Sequence, residues 1–179
     1  MDPSAAPLAA EFLADILTAF RAQRQSAEKA IAQLAPDDLF HVAGGDDNSI
    51  AVLMKHVGGN LRSRWTQPFE TDGEKPDRNR DGEFEAEQDT PDTIRAVWDE
   101  GWNVLEHTLT ALRPADITQV VRIRGEEIPL MSALHRSLAH TAQHVGQIVL
   151  LAKHQRGGDW QTLSIPRGES AKYLQRPPA

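Results

Sequence analysis

His140 and His144 stand four residues apart in the stretch from Ala133 to Lys153. On a helix, at about 100° per residue, the two imidazoles point within roughly 40° of each other. Two neutral imidazoles stacked in this way can hold one metal ion from a single helix. The surrounding pattern is strongly helical: Leu130, Leu134, Leu138, Thr141, Val145, Ile148, Val149 and Ala152 recur on one face. The histidine stripe, which also carries Ala133, Ser137, Gln147 and Leu151, borders that apolar face. The plainer alternative is a pair of interior histidines satisfied by hydrogen bonds. The spacing is not that of a zincin, since residue 141 is Thr where such a motif needs Glu.

A catalytic metal site needs a third donor from elsewhere. Of the seven histidines, His56 is the only other one on an inward stripe, between Leu53 and Asn60 on a helix running from a cap at Asn48 or Ser49 to about Trp65. His41 falls in a loop, His107 and His135 project outward, and His154 lies near a helix end. Three imidazoles suit zinc, nickel, iron or copper and suit magnesium or calcium poorly. Such a set leaves a coordination position open for water or substrate.

The elements that must position these residues follow from periodicity and from stop signals. Pro7 to Leu34 reads as a first helix with Leu8, Phe12, Leu13, Ile16, Leu17, Phe20, Ala27, Ile31 and Leu34 broadly on one side. Ala35-Pro36 ends it, and Phe40 to Asp47 is a loop with Gly44-Gly45-Asp46-Asp47 as its turn. Thr90-Pro91 opens a third helix whose stripe includes Ile94, Trp98, Trp102, Leu105 and Leu109. Trp98 and Trp102 are expected in the core. Gln119 to Arg124 and Glu127-Ile128 predict a short hairpin turning at Gly125-Glu126. Pro129 opens the fourth helix and Gly157-Gly158 closes it. Between the second and third helices, 67–89 is charged and aperiodic, which fits either a solvated linker or a lid over a site. The tail at 159–179 is expected to run extended. The fold class is therefore all-α, an antiparallel four-helix bundle with a short β-hairpin between helices 3 and 4, in one domain spanning 1–179.

Composition narrows the chemistry. The 179 residues contain no cysteine, so thiolate ligands, disulfides and a cysteine nucleophile are excluded. A net charge of -7 argues against a nucleic-acid partner. Met1-Asp2-Pro3-Ser4 lacks the pattern of a signal peptide, and the longest apolar run, Ile148 to Ala152, is too short to cross a bilayer. A cytoplasmic protein without a membrane partner is expected.

His56 on helix two, with His140 and His144 in the pattern His-x-x-x-His-x-Gly-Gln on helix four, resembles the DinB/YfiT-like superfamily of metal-binding four-helix bundles. The likeness is closest to an uncharacterised subgroup, through His56-Val-Gly-Gly-Asn-Leu-Arg-Ser-Arg-Trp65, Thr71-Asp-Gly-Glu-Lys-Pro, Asn79-Arg-Asp-Gly-Glu-Phe84, Ile123-Arg-Gly125, His144-Val-Gly-Gln-Ile-Val, Leu151-Ala-Lys-His154 and Leu163-Ser-Ile-Pro-Arg-Gly168. The resemblance implies a metal site of His56, His140 and His144, frequent homodimers, and activation of a low-molecular-weight thiol as in bacillithiol transferases and mycothiol-dependent isomerases.

The function expected from these features is that of a metal-dependent transferase using zinc, nickel or iron to activate such a thiol against a small-molecule substrate. Asn60, Arg64 and Gln147 are the expected substrate-binding residues, with Arg62, Arg80 and Arg167 as further cations within reach of an anionic cofactor. The alternatives are a hydrolase using metal-bound water and a non-enzymatic metal- or ligand-binding dimer.

Overall fold

The computed structural model describes residues 5–45 and 47–173, so Met1 to Ser4, Asp46 of the expected turn and the last part of the tail lie outside the described residues. The fold is mostly helical with one small antiparallel hairpin. Helices α1 (Ala5–Ile31), α2 (Ile50–Trp65), α3 (Pro91–Ala111) and α4 (Leu130–Arg156) are long, and strands β1 (Val120–Ile123) and β2 (Glu126–Pro129) precede α4. The side chain of Ser49 accepts from the Val52 N–H at the start of α2, and Thr90 caps α3 ahead of Pro91. These caps satisfy N–H groups that a helix start leaves without internal partners.

Helix α2 packs chiefly on α3, and α1 on α4, while α2 also meets α4. The core between them holds Phe20, Leu53, Met54, Leu61, Trp65, Trp98, Trp102, Leu134 and Ile148, all essentially inaccessible. Trp98 and Trp102 therefore pack as expected, with ring centroids 5.4 Å apart. Leu8 departs from expectation: it is 69% exposed. It stands roughly 80–140° around the wheel from Ile16, Ala9 and Leu13, which face the core.

The hairpin turns one residue earlier than its sequence suggests. Arg124 and Gly125 both adopt positive φ, 56° and 79°, the geometry that matches a two-residue turn to the strand twist. Ile123 then pairs with Glu126, and β2 extends to Pro129. The first helix also stops sooner, at Ile31, and Pro36–Phe40 forms a 3-10 turn where Asp38 accepts from the Ala35 N–H at 2.9 Å. The tail is not extended throughout: 157–159 form a 3-10 turn, and Ser170–Tyr173 make one helical turn, α5. Trp160 and Leu163 lie against the core, and Gln161 exchanges hydrogen bonds with Gln33 at 2.8 and 3.0 Å. Among the described residues no helix is long and apolar enough to cross a membrane.

Two glycines set how closely α2 and α3 approach. A Cβ on Gly101 would lie 2.6 Å from the Cα of Gly58, and one on Gly58 would lie 2.9 Å from the Val97 carbonyl carbon. Both obstacles are backbone, so no rotamer change relieves them. Gly101→Ala should lower the free energy of urea unfolding by about 1–3 kcal/mol, as overpacking does. Gly146→Ala is the control, since a Cβ there meets nothing within 4 Å. It should stabilise by about 0.5–1 kcal/mol through lost unfolded-state entropy. Equal urea midpoints for the two variants would refute the close-contact account.

Candidate metal centre

His56, buried on α2, meets His140 and His144, half-buried on α4. One ring nitrogen from each lies within 4.8 Å of the others. The ring centroids are 4.6 to 5.2 Å apart, and the His56 and His140 Nε2 atoms are separated by 3.2 Å. Two nitrogens bound at about 2.0–2.1 Å to one tetrahedral ion stand roughly 3.3 Å apart. The other histidines are elsewhere: His41, His107 and His154 are exposed, and exposed His135 packs its ring on Phe12.

Hydrogen bonds fix which nitrogens face the centre. The Glu83 carboxylate accepts from His56 Nδ1 at 2.9 Å, leaving the His56 Nε2 lone pair directed at His140. The Gln147 Oε1 accepts from His144 Nδ1 at 2.7 Å, leaving its Nε2 free. His140 Nδ1 is buried without a partner among the described residues. Desolvated nitrogen lone pairs thus converge on one point, the arrangement a divalent cation relieves. An all-nitrogen set of this kind fits zinc, nickel or iron.

Glu83 comes from the charged segment, in the 3-10 turn Asp81–Phe84. It is 5% exposed, and Arg78 grips it twice, Nε to Oε1 at 2.7 Å and Nη2 to Oε2 at 2.8 Å. Burial alone would raise the Glu83 carboxyl, but hydrogen bonds from His56 and Arg78 hold it below the ordinary carboxylate value. The approach depends on Gly59, where a Cβ would collide with the carboxylate. Phe84 lays its ring against His56 with centroids 4.8 Å apart, and the Arg80 guanidinium lies 5.6 Å from the Phe84 centroid.

The segment 67–89 is neither a free linker nor a loose flap. Asp72 accepts from the backbone N–H groups of Arg124 and Gly125 at 2.8 and 2.7 Å, and Gly73 N–H donates to the Arg122 carbonyl at 2.7 Å. Ser63 and Arg64 of α2 both donate to the Gly73 carbonyl, at 2.7 and 2.6 Å. Glu74 receives Arg64, Arg78 and Arg124 at 3.0–3.1 Å. The hairpin and α2 therefore clamp the segment beside the histidines.

A family model described as a protein of unknown function, DUF1572, matches residues 7–169. The chain belongs to this family. Comparisons with curated proteins and with solved structures return no match. The DUF1572 match takes in all three histidines, Glu83, Arg78 and the hairpin.

Next to His56 and His140 this DUF1572 chain has a cavity of about 220 Å³ between α2 and α4. Asn60 and Arg64 line it, together with Arg78, Arg80, Arg124 and Arg136, and Ser137. Gln147 is exposed and holds His144 instead. Arg62 faces away, pairing with Asp77 and Glu100 at 3.2 and 3.6 Å, and exposed Arg167 is absent from the lining. Sequence patterns do not single out Glu83, Arg78, Phe84 or Arg136. The only sequence sign of Glu83 and Phe84 is the conjunction of Asn79-Arg-Asp-Gly-Glu-Phe84 with an unusually long charged connection, and Arg78 stands just before that motif.

Two outcomes follow. Glu83→Gln keeps the shape but loses the carboxylate that orients His56, and should weaken zinc binding about 10–100-fold in chelator competition. Unchanged affinity would refute the orienting role. Burial, then His144 and His56, and then Arg78 and Arg64, push His140 down from 6.5 to about 4, and His144 is also lowered, chiefly by burial. The unfolded chain takes up these protons near pH 6.5, whereas folded His140 resists until about pH 4. Acid therefore favours unfolding: metal-free protein should lose stability as pH falls from 6.5 towards 4 and regain it as pH rises. Urea midpoints across that window should slope upward with pH, and His140→Gln should flatten the slope.

Proposed function

We propose that this chain is a metal-dependent enzyme of the DinB-like superfamily that activates a low-molecular-weight thiol at His56, His140 and His144 and transfers it to a small electrophile. The observation that carries this reading is the convergence of three imidazoles, two of which, His56 and His140, line an arginine-rich cavity. In this proposal the four long helices form an antiparallel four-helix bundle in a single domain, working in the cytoplasm as a homodimer. The pairings of α1 with α4 and α2 with α3 support the bundle, and the sequence resemblance supports the dimer.

A bound zinc, nickel or iron ion would supply Lewis-acid stabilisation of a thiolate or hydroxide near neutral pH. The chain's own residues favour the thiol. A free thiol ionises near pH 8.5, whereas water needs a shift from about 15.7 and gains from a carboxylate base. No Asp or Glu lines the cavity, while five arginines do, and their field favours an anionic sulfur. Glu83 is held by Arg78 and His56, so it orients rather than accepts the substrate proton. In the transfer, the thiolate sulfur forms a bond to the electrophilic carbon as the bond to the leaving group breaks, and the thiol proton passes to solvent. Asn60 and Arg64 line the reaction space, and Gln147 fixes the His144 ring.

Tag-free protein should contain close to one transition-metal ion per chain by elemental analysis, and His140→Ala should contain less than about a tenth of that. Metal-loaded protein should consume thiol and electrophile together from a panel of small thiols and alkyl or epoxide electrophiles. Absence of thiol turnover across the panel would sink the transferase. Ester or amide cleavage without added thiol would replace it with the hydrolase.

A further inference from the structure

The cavity beside the histidines is strongly cationic in an otherwise acidic chain. The protein has 19 lysines and arginines against a net charge of -7, yet five arginines and no carboxylate line this one space. Three of them are already engaged: Arg64 and Arg124 with Glu74, and Arg78 with both Glu74 and Glu83. Arg80 and Arg136 have no carboxylate partner among the described residues, so the lining keeps a surplus of positive charge. Arg80 is held by its stacking on Phe84, which itself packs on His56. Arg136 stands one helical turn before His140, beside Ser137, whose Oγ accepts from Trp65 Nε1 at 3.1 Å and keeps its own hydrogen to donate. The Asn60 amide, one turn after His56, also has no hydrogen-bond partner among the described residues.

We propose that this cavity is an anion subsite in which Arg80 and Arg136, helped by Asn60 and Ser137, grip a carboxylate or phosphate group of the small molecule that reacts at the histidines. The inference rests on the functional reading above and names the ligand class for the same site. Five like-charged guanidiniums around one cavity repel one another even though Arg80 and Arg136 are exposed, and a bound anion removes that repulsion. Arginine forks match carboxylate and phosphate oxygens two at a time. At about 220 Å³ the space is smaller than the roughly 300–1,000 Å³ of pockets for drug-sized ligands, so it takes a compact headgroup. One helical turn separates Arg136 from His140 and Asn60 from His56, a rise of roughly 6 Å.

The test uses the full chain, titrated with inorganic phosphate, succinate and the neutral succinamide by calorimetry. Each titration is run on chelator-treated and on zinc-loaded protein. Phosphate or succinate should bind in both forms, with succinamide at least tenfold weaker. The double variant Arg80→Gln/Arg136→Gln should lose at least tenfold in anion affinity while its zinc content stays unchanged. Arg80→Lys/Arg136→Lys should recover part of the loss, and Arg156→Gln, exposed at the end of α4, should leave affinity as it was. Tighter succinate binding assigns a carboxylate ligand, and tighter phosphate binding a phosphorylated one. Equal affinity in the double glutamine variant, equal binding of succinamide, or anion binding only when zinc is present would each overturn the subsite. Failure of the metal site would appear separately, as protein without metal that still binds the anion.

Discussion

The buried ion pair between Arg78 and Glu83 is the interaction on which the site depends. Both side chains come from the connection between α2 and α3, Glu83 from its 3-10 turn, and both are almost wholly withdrawn from solvent, at 4% and 7% side-chain exposure. A carboxylate and a guanidinium removed from water cost several kcal/mol each, and removing one partner of such a pair typically costs about 3–5 kcal/mol. The pair is compensated because every nitrogen of the guanidinium and both oxygens of the carboxylate have a partner. Arg78 gives two bonds to Glu83 and one to Glu74, and Glu83 accepts a third from His56. A chain of hydrogen bonds thereby runs from the loop to the imidazole that faces the centre. The loop's order and the ring's orientation are one structural fact.

Three glycines leave room for these contacts. Gly58 and Gly101 bring α2 and α3 close, and Gly59, next in sequence, leaves room for the Glu83 carboxylate. The adjacent pair Gly58-Gly59, about 100° apart around α2, thus serves two neighbours, Gly58 facing α3 and Gly59 facing the loop. A β-carbon at Gly58 would meet the α3 backbone, and one at Gly59 would meet the Glu83 carboxylate that holds His56. The donor geometry therefore depends on absent side chains as much as on present ones.

The helices and the histidine trio were legible because both depend on local periodicity. His140 and His144 share a stripe through a four-residue spacing, and His56 lies on the inward side of its own helix. Caps at Ser49 and Thr90 announced two helix starts. The carboxylate behind His56 was not legible, because Glu83 sits 27 residues away in a run of charge where nothing marks one acid from the next. Its burial is decided by tertiary contacts: Arg78, Gly59 and the Asp72 clamp on the hairpin. Likewise the turn at Arg124-Gly125 was displaced by one residue because Arg124 takes positive φ there, where Asp72 accepts its N–H. Arg136 looked like an ordinary surface residue on its helix, and it faces the cavity only because loop and hairpin build walls across from it.

The clamp of Asp72 on the hairpin has a kinetic corollary. A 23-residue connection anchored about a third of the way along, at Asp72 and Gly73, to the hairpin and α2 behaves as two shorter spans rather than one long one. Shorter spans have fewer ways to swing, and their ordering is complete once the chain has folded. The wall of the cavity is thus tied to the rest of the fold by hydrogen bonds, and the arginines along it favour the approach of anions.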